Sequence, residues 1–381
     1  MDSIIYRHYE PGDEEGCAKL FIKSFQTGNF SHIYTPSFWH WRYPCDPDFE
    51  PEMIQIAEDI DRKRIVGLNC ANRIEKAIIN GNEYLLGEIN DICVDPLYMR
   101  KGIGLKLMEV ALDYFKSRDC DFSALTSAPD SFQTEKLYSK LGYAIIDTNI
   151  YVIGFPYPFK LIKQIPATFG LLPIFFTMNH FSRFLNRLRI KYTDFFKDFS
   201  YEIVRNKKHW EVMDAINRIF PNYNEGFYPY AKKQYRWMRI EVPNKEREPT
   251  YIIIRRNDEI IGGGVMTDTD YTSLGLRIGI TFGIVNQVFL DKKKFPNKRD
   301  LHLGYIYLFD KLLKAAVYRS QGLLLYTCSK RNLELRRAVK NIGLIQFPAQ
   351  VVMMKSLKPN LLIPKFKNPF FCPTHLSIGF P

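Results

Sequence analysis

The strands and helices predicted from the sequence follow nearly the same order twice along the chain. In residues 1–154 the order is strand, helix, three strands, helix, strand, helix, strand, and a similar order begins again at residue 199. Three strands joined by short turns, as at Asn80-Gly81-Asn82, indicate an antiparallel meander, and the strand–helix–strand unit that follows indicates a parallel pair. The sequence therefore predicts an α/β (α+β) chain with two mixed-sheet sandwiches in tandem.

We divide the chain into four parts on this basis. Residues 1–154 form the first copy and residues 199–358 the second, with a connector at 155–198 and a tail at 359–381 that is rich in Pro and Phe. The connector carries apolar residues at roughly helical spacing, with arginines on the other side. We expect this apolar stripe to pack against the body of the protein. Peripheral membrane contact through 159–191 is the alternative, and it is not favoured.

Charge is divided unequally between the two parts of the chain. Residues 1–150 hold 16 Lys and Arg against 24 Asp and Glu, whereas residues 151–381 hold 37 against 17, within a total net charge of +12. Such asymmetry indicates units with different partners. The basic part could attract an anionic substrate, a nucleic acid or a membrane. A lysine-rich solvated surface explains the same numbers equally well.

Composition and cysteine usage indicate a globular protein of the cytoplasm. Hydrophobic residues make up 46% and charged residues 25% of the chain, which excludes a mostly disordered protein. The seven cysteines are scattered, without a CxxC pair or a His pair at ligand spacing. We expect reduced thiols, no metal site and a cytoplasmic location, since no secretory signal or long apolar run is visible.

The segment with the most chemical information joins a strand to a helix. It reads Asp-Ile-Cys-Val-Asp-Pro-Leu-Tyr-Met-Arg-Lys-Gly-Ile-Gly-Leu over residues 91–105. Two glycines before a helix let main-chain N–H groups approach an anion closely, and the start of a helix is electropositive. Arg100 and Lys101 add positive charge suited to a pyrophosphate. Taken alone, two glycines also fit an ordinary strand-to-helix turn.

This segment closely resembles the acyl-CoA signature of the GNAT superfamily of N-acyltransferases. In that family a strand ending in Val-x-Pro is followed by [Arg/Gln]-x-x-Gly-x-[Gly/Ala] at the start of a helix. Gly102 and Gly104 match the two glycine positions, and Met99 stands at the usual Arg/Gln position. Downstream, Leu-Tyr-Ser-Lys-Leu-Gly-Tyr at 137–143 resembles the ending of the family's last helix, with Ser131 where an Asn is common.

The resemblance implies an acyl-CoA-dependent N-acyltransferase that transfers an acetyl group from acetyl-CoA to a primary amine. In the family, the fourth strand splays from its neighbour and the pantetheine arm of the donor pairs with main-chain groups in the gap. The residues that would contact the donor by this resemblance are Ile92, Cys93, Val94, Arg100, Lys101, Gly102, Ile103, Gly104 and Leu105. The second copy has Phe-Leu-Asp-Lys-Lys-Lys at 289–294 in place of the glycine loop, and we expect no CoA there.

The resemblance also suggests catalytic residues. Tyr138 matches the family's general acid, and a phenol suits a thiolate leaving group of similar basicity. Glu88 and Asp91 are both candidates for the base that removes the amine proton. Some tandem members of the family use the chain-terminal carboxylate instead, which keeps Pro381 as a third candidate. A covalent mechanism through Cys93 is disfavoured because a buried strand thiol is usually inert.

Strand alternation sorts the residues of the predicted strand between two faces. Residues 88, 90, 92 and 94 fall on one face, and residues 89, 91 and 93 fall on the other. Under this alternation either carboxylate can lie near the acceptor.

The acceptor itself is the least constrained part of the prediction. The aromatic segment 38–43 could wall a site for an amine or a sugar, or could simply cover the core. The basic second copy favours an anionic or sugar-like amine, bound in a groove between the copies. Two other classes of function remain: an acyl-CoA-binding or interaction protein without turnover, and a tandem-GNAT transferase that takes an aminoacyl group from tRNA. The glycine loop argues against the tRNA-dependent class, so no nucleic acid is expected.

Overall fold

The structure is a computed structural model that describes residues 4–24, 30–32, 35–131, 133–243, 248–273 and 278–371. The Pro381 carboxylate, the rest of the tail from 372 and the start of the strand predicted from 276 lie outside these residues. Among the helices of the described part, none is both long and apolar enough to cross a membrane.

The strands of the described residues are numbered in chain order. They are β1 (Ile4–His8), β2 (Phe30–His32), β3 (Ile54–Asp59), β4 (Arg64–Ile79), β5 (Asn82–Val94), β6 (Phe122–Ser127), β7 (Ala144–Gly154), β8 (Phe199–Arg205), β9 (Thr250–Arg256), β10 (Glu259–Ser273), β11 (Ile278–Leu290), β12 (Leu323–Ser329) and β13 (Ile345–Ser356).

The helices are numbered in the same way. They are α1 (Glu14–Ser24), α2 (Pro36–Arg42), α3 (Ile103–Ser117), α4 (Pro158–Gln164), α5 (Leu172–Phe176), α6 (Ser182–Lys191), α7 (His209–Ile219), α8 (Lys232–Arg239), α9 (Lys298–Tyr318) and α10 (Leu333–Asn341).

These strands form a single mixed sheet that runs through both predicted copies. Its order is β1-β3-β4-β5-β6-β13-β7-β12-β11-β10-β9-β8, and β2 pairs with β10 beside this path. The pairs β5–β6 and β11–β12 are parallel, as expected for strands joined through α3 and α9, and the other pairs are antiparallel. The mixed α/β architecture predicted from the element order is confirmed.

The last strand of each half sits inside the order of the other half. β13 lies between β6 and β7 and pairs with both, from Val351↔Ser127 to Ser356↔Phe122 on one side and from Ile345↔Ile153 to Met354↔Ala144 on the other. β7 in turn pairs with β12 of the second half. The main chain therefore completes the first half only with its final strand.

Helices cover both faces of the sheet, as the alternation of β9 shows. Tyr251 and Ile253 pack into a core that joins α1, α2, α7 and α8, whereas Ile252 and Ile254 pack into a core built around α9 and α10. α3 packs in further clusters of the first half. The core with α1 and α7 contains buried residues of both halves, so the halves share one hydrophobic interior.

Two tryptophans join α2 to α8 by reciprocal hydrogen bonds. The indole N–H of Trp41 donates to the carbonyl of Trp237 at 3.2 Å, and the indole of Trp237 donates to the carbonyl of Trp41 at 2.7 Å. Their ring centroids are 5.9 Å apart, and both rings are buried. This reciprocity places corresponding aromatic segments of the two halves face to face.

One predicted helix of the first half is much shorter than expected. In place of a helix from 130 to 141, the structure has one wide turn at Gln133–Tyr138, with Tyr143 N–H bonded to the Tyr138 carbonyl at 3.0 Å. Ser131 rather than Asp130 caps this turn, because its hydroxyl accepts from the Thr134 N–H at 3.2 Å. Gly142, at φ +86°, ends the segment as predicted.

Candidate active site

The parallel pair β5–β6 opens toward the end of β5. Its hydrogen-bonded register runs only from Leu86↔Phe122 to Ile89↔Leu125, although β5 continues for five more residues to Val94. Main-chain groups of the last part of β5 therefore face a widening gap instead of β6. An extended chain such as a pantetheine arm can pair with such groups as an added strand would.

A β-bulge at Asp91 changes which side chains share a face. Leu68 pairs with Cys93 while Cys70 pairs with Asn90, and Asp91 has φ +48°. Ile89 and Ile92 consequently both pack toward α3, and Cys93 packs into the core of α1 and α2. The faces predicted from simple alternation are thus wrong beyond residue 90, because the bulge inserts one residue.

The glycine loop forms an exposed and uncapped helix start. Gly102 has φ +81°, no side chain caps the N terminus of α3, and a Cβ at Gly102 would meet no atom within 4 Å. The first intrahelical bond is donated by Lys106 N–H to the Gly102 carbonyl at 3.0 Å, so the N–H groups of residues 103–105 are available to a ligand. Arg100 and Lys101 flank this start and are exposed.

A buried carboxylate that sequence reasoning missed anchors the loop. Asp95 is fully buried, accepts from the Leu97 N–H at 3.0 Å and pairs with Lys23 at 2.9 Å and with Arg64. Although burial opposes it, the hydrogen bond from Lys23, the Leu97 N–H and the charge of Arg64 hold the pKa of Asp95 below its usual value. The signal was present in the sequence, since Asp before Pro often bonds the main chain two residues on.

Tyr138 lies in the core cluster beneath the open end of β5. It is 5% exposed and shares that cluster with Ile89, Met108 and Leu125, while Ile92 packs against the cluster. Its ring centroid is 6.2 Å from that of Tyr143. Burial raises the pKa of Tyr138 well above its usual value, so the phenol carries its proton at neutral pH.

The two candidate bases have different surroundings. Asp91 is held by the Arg42 guanidinium at 3.0 Å and accepts from the Tyr43 hydroxyl, both from the end of α2. Glu88 is fully buried at the point where β5 leaves β6, and it stands opposite Arg73 in the register of β4 and β5. Asp91 is therefore tied to α2, whereas Glu88 lies at the apex of the gap.

Cys93 has the surroundings of an inert thiol. It is 6% exposed, and burial together with the charge of Asp91 raises its pKa far above the usual value. Within the described residues, its surroundings give no support for a covalent route.

The aromatic segment 38–43 is part of the hydrophobic core rather than an open wall. Trp39 and Tyr43 are fully buried and Trp41 is 5% exposed, whereas the His40 side chain is half exposed and bonds Glu14. Of the two roles that the sequence allowed for this segment, the wall of an acceptor site and a cover over the core, the structure fits the cover. It also supplies the two groups that bind Asp91.

The second half repeats the opening of the strands but not the anion cradle. The register of β11 with β12 also ends five residues before the end of β11, at Val285↔Tyr326. In contrast to α3, the N terminus of α9 is capped by Asn297, whose side chain accepts from the Asp300 N–H at 2.9 Å. Lys292 and Lys294 are paired with Glu334 and Glu259 at 3.2 and 2.6 Å.

The gap in the second half contains a cavity with a neutral lining. Its volume is about 130 Å³, and amide side chains, hydroxyls and aromatic rings line it, including Asn286, Gln287, Tyr326 and Phe370. In the described residues, no group of His, Cys, Asp or Glu is arranged to hold a metal ion.

Comparisons with known proteins agree with this geometry. Residues 17–143 match the model of the acetyltransferase (GNAT) family. This match assigns residues 17–143, within the first half, to the GNAT family. The matched span contains the open strand β5, the glycine loop, α3 and Tyr138. No curated protein sequence matches the chain.

Solved structures of similar fold cover both halves of this chain. Saccharomyces cerevisiae N-myristoyltransferase with bound myristoyl-CoA has a TM-score of 0.68 at 13% identity, over 93% of this chain and 79% of that one. A second structure of that enzyme with myristoyl-CoA gives 0.67 at 14%, over 93% and 83%. A third, with myristoyl-CoA and inhibitors, gives 0.68 at 14%, over 100% and 87%. At such identities the likeness establishes the fold.

Proposed function

We propose that this protein is an acyl-CoA-dependent N-acyltransferase that moves an acetyl group from acetyl-CoA to a primary amine. The observation that carries the proposal is the gap between β5 and β6 leading directly to an exposed, uncapped helix start at Gly102. The gap suits the pantetheine arm, and the helix start suits the diphosphate. The family match over 17–143 supports the same donor.

The donor would be held chiefly by main-chain groups. The N–H groups of Ile103, Gly104 and Leu105 point to the diphosphate, and Arg100 and Lys101 add charge at its edge. Main-chain groups of Ile92, Cys93 and Val94 pair with the pantetheine arm. Because the main chain supplies most contacts, Met99 in place of the usual Arg or Gln does not remove the cradle.

The transfer needs one base and one acid. The amine nitrogen attacks the thioester carbonyl, the C–S bond breaks, and the thiolate of CoA takes a proton from the Tyr138 hydroxyl. Glu88 is the base in this proposal, receiving the amine proton through a water at the apex of the gap. Asp91 is a positioning residue, since its carboxylate already binds Arg42 and Tyr43. The Pro381 carboxylate stays an alternative base.

The packing beside the gap supports a short acyl group. Trp39 and Tyr43 are fully buried in the cluster that includes Cys93 and Cys70, so a long chain on that face would have to displace core rings. The structural neighbours bind myristoyl-CoA. The decisive experiment therefore compares a short with a long acyl group on the donor. For the acceptor, the positive second half supports an anionic or sugar-like amine.

The test compares two glycines of the same backbone conformation. Gly102 and Gly81 have φ of +81° and +84°, and at both a Cβ would meet nothing within 4 Å. Gly102→Ala should weaken acetyl-CoA binding at least about tenfold, because the new methyl group lies in the cradle, whereas Gly81→Ala should not. Calorimetric titration measures both, and equal affinities for the two variants would contradict the donor site.

Turnover is measured as thiol release from acetyl-CoA and myristoyl-CoA across a panel of amines. A higher kcat/KM with myristoyl-CoA would overturn the proposal of acetyl-CoA as the donor. The proposal that the protein is an acyl-CoA-dependent acyltransferase would remain. Tight donor binding without release of thiol for any amine would favour the acyl-CoA-binding protein instead.

A further inference from the structure

Exposed apolar side chains are concentrated in the connector between the two halves. Nine of the large apolar side chains that the structure leaves exposed lie between residues 157 and 192, about a tenth of the chain. They are Tyr157, Phe159, Phe169, Leu171, Ile174, Phe181, Phe184, Leu185 and Tyr192, and we call them the connector face. α4 and α5 contact each other, and α6 follows α5 in the same helical run, so these side chains lie on neighbouring elements. Patches of this kind mark interaction sites.

Helix α6 buries two polar side chains and exposes apolar ones. Arg183 and Asn186 are 6% and 3% exposed, whereas Phe184, and Phe181 just before the helix, are 57% and 58% exposed. Ile190 is buried in the core around α9, so the expectation that the apolar stripe packs against the body of the protein is wrong for Phe181, Phe184 and Leu185. A helix that exposes its aromatic side chains to water loses hydrophobic stabilisation, so the face needs an apolar partner.

Specific polar contacts fix this orientation. The Arg183 guanidinium pairs with Asp310 of α9 at 3.0 Å, and Asp310 is itself 2% exposed. The Asn186 amide donates to the Asn341 carbonyl at the end of α10 at 2.9 Å. Rotating α6 to bury its aromatic rings would break these buried bonds and leave charges unpaired. The buried contacts of α6 thus keep the side chains of Phe181 and Phe184 exposed.

The charge around the connector face is mainly positive. Residues 155–198 contain seven Lys and Arg against two Asp, which are Asp194 and Asp198 at the end of the connector. Lys163, Arg189 and Lys191 are exposed beside the apolar side chains. Basic side chains next to exposed aromatic and aliphatic ones are the composition of segments that lie on anionic membranes. Among the helices of the described residues none is long and apolar enough to cross a membrane, so a membrane contact of this segment would lie in the interface.

We propose that the connector face binds the surface of a membrane containing anionic lipids. Phe181, Phe184 and Leu185 enter the boundary between headgroups and acyl chains, and Arg189 and Lys191 contact lipid phosphates. The excess of basic residues favours this occupant over a second copy of the chain, because two positively charged faces would repel each other. Binding would hold the enzyme at a membrane without involving the donor site.

The test is sedimentation of the full-length protein with vesicles. One set is phosphatidylcholine alone and the other contains about a third phosphatidylglycerol. The protein should bind the anionic vesicles, and binding should fall when salt is raised from about 0.1 M to about 0.5 M. The variant Phe181→Ser, Phe184→Ser, Leu185→Ser should bind at least about 30-fold more weakly. The variant Arg189→Glu, Lys191→Glu should lose about 20-fold.

A matched control replaces three exposed apolar side chains elsewhere. Ile60, Ile145 and Leu362 are 46%, 56% and 84% exposed, and their joint replacement by Ser should leave vesicle binding unchanged. Circular dichroism and thermal unfolding of every variant show whether it is folded. Equal sedimentation of the connector and control variants, or equal binding to neutral and anionic vesicles, would overturn the proposal. So would a dimer in light scattering that the connector variant abolishes, since the face would then serve a second copy.

Discussion

At the scale of single residues, the structure separates side chains that the sequence leaves equivalent. Glu88 and Asp91 have the same charge and lie three positions apart, yet only Asp91 is tied to α2 through Arg42 and Tyr43. The sequence located both candidates, but it could not show the bulge that turns Asp91 out of register. A bulge depends on pairing with a second strand, and alternation along one strand does not contain that information.

Replacement of Tyr138 by Phe should lower kcat by about 10²–10⁴-fold, because in the proposed mechanism the leaving thiolate loses its proton donor. The dissociation constant for acetyl-CoA should stay unchanged. Tyr143→Phe is the matched control: this second buried tyrosine donates or accepts a 2.7 Å bond with Ser123. It should lose stability and keep its turnover, measured by thiol release. Equal turnover of the Tyr138 variant and the wild type would remove Tyr138 from the mechanism.

The pH dependence of kcat/KM distinguishes the two carboxylates. If Glu88 is the base, activity falls at acid pH as its carboxylate takes up a proton, and Glu88→Gln should abolish most turnover together with that acidic limb. Asp91→Asn should keep the acidic limb and lose mainly stability, because it disturbs the contact with α2. An acidic limb that persists in Glu88→Gln and vanishes in Asp91→Asn would reverse the two roles.

At the scale of elements, the same strand–turn–helix unit serves different purposes in the two halves. In the first half Asp95 orders the turn and leaves the start of α3 open at Gly102, whereas in the second half Asp291 orders a similar turn and Asn297 closes the start of α9. The glycines at 102 and 104 made the open start predictable from sequence. The length of the helix before Gly142 was not predictable, because the apolar spacing of the segment does not distinguish an α-helix from the single wide turn at Gln133–Tyr138.

Asp95→Asn tests the anchor of the loop. Its folded-state pKa is lowered, so the charged carboxylate stabilises the fold above its ordinary pKa near about 4, and that contribution is lost as pH falls through the folded value. At pH 7 the variant should lose about 1–3 kcal/mol of unfolding free energy in urea and bind acetyl-CoA more weakly. The difference from the wild type should shrink at pH 3.

The control for this experiment is Asp113→Asn. Asp113 is 74% exposed and, among the residues that the structure describes, pairs only with Lys116 of the same helix, so its replacement should change stability by no more than about 0.5 kcal/mol. A loss of stability in Asp95→Asn that is equally large at pH 3 and pH 7 would show that the charge of Asp95 is not what holds the loop.

At the scale of the whole molecule, the halves are one folding unit. β13 completes the first half, β7 pairs with β12, and the core around Trp41 and Trp237 draws residues from both halves. The repeated element order was visible in the sequence. The exchange of strands was not visible in the sequence, because predicting each strand separately does not show which strands pair with each other.

Residues 1–154 expressed alone should therefore fail to fold to a native state. The fragment leaves one edge of β6 unpaired and exposes the core that α7 and α8 cover, which favours aggregation. The full chain should unfold in one cooperative transition by calorimetry, and co-expression of 1–154 with 155–381 should recover soluble complex. Two separate transitions, or a monomeric fragment with dispersed NMR signals, would contradict this view.

Because of the exchange of strands, β6 is synthesised well before its partner β13. β6 is synthesised roughly 220 residues before β13, and at about 5–20 residues per second this is a delay of about 10–45 s. Throughout that interval the nascent chain carries a bare strand edge that invites pairing with other chains. Cells that make this protein must shield that edge or tolerate losses, so its yield should depend on chaperone supply more steeply than its final stability suggests.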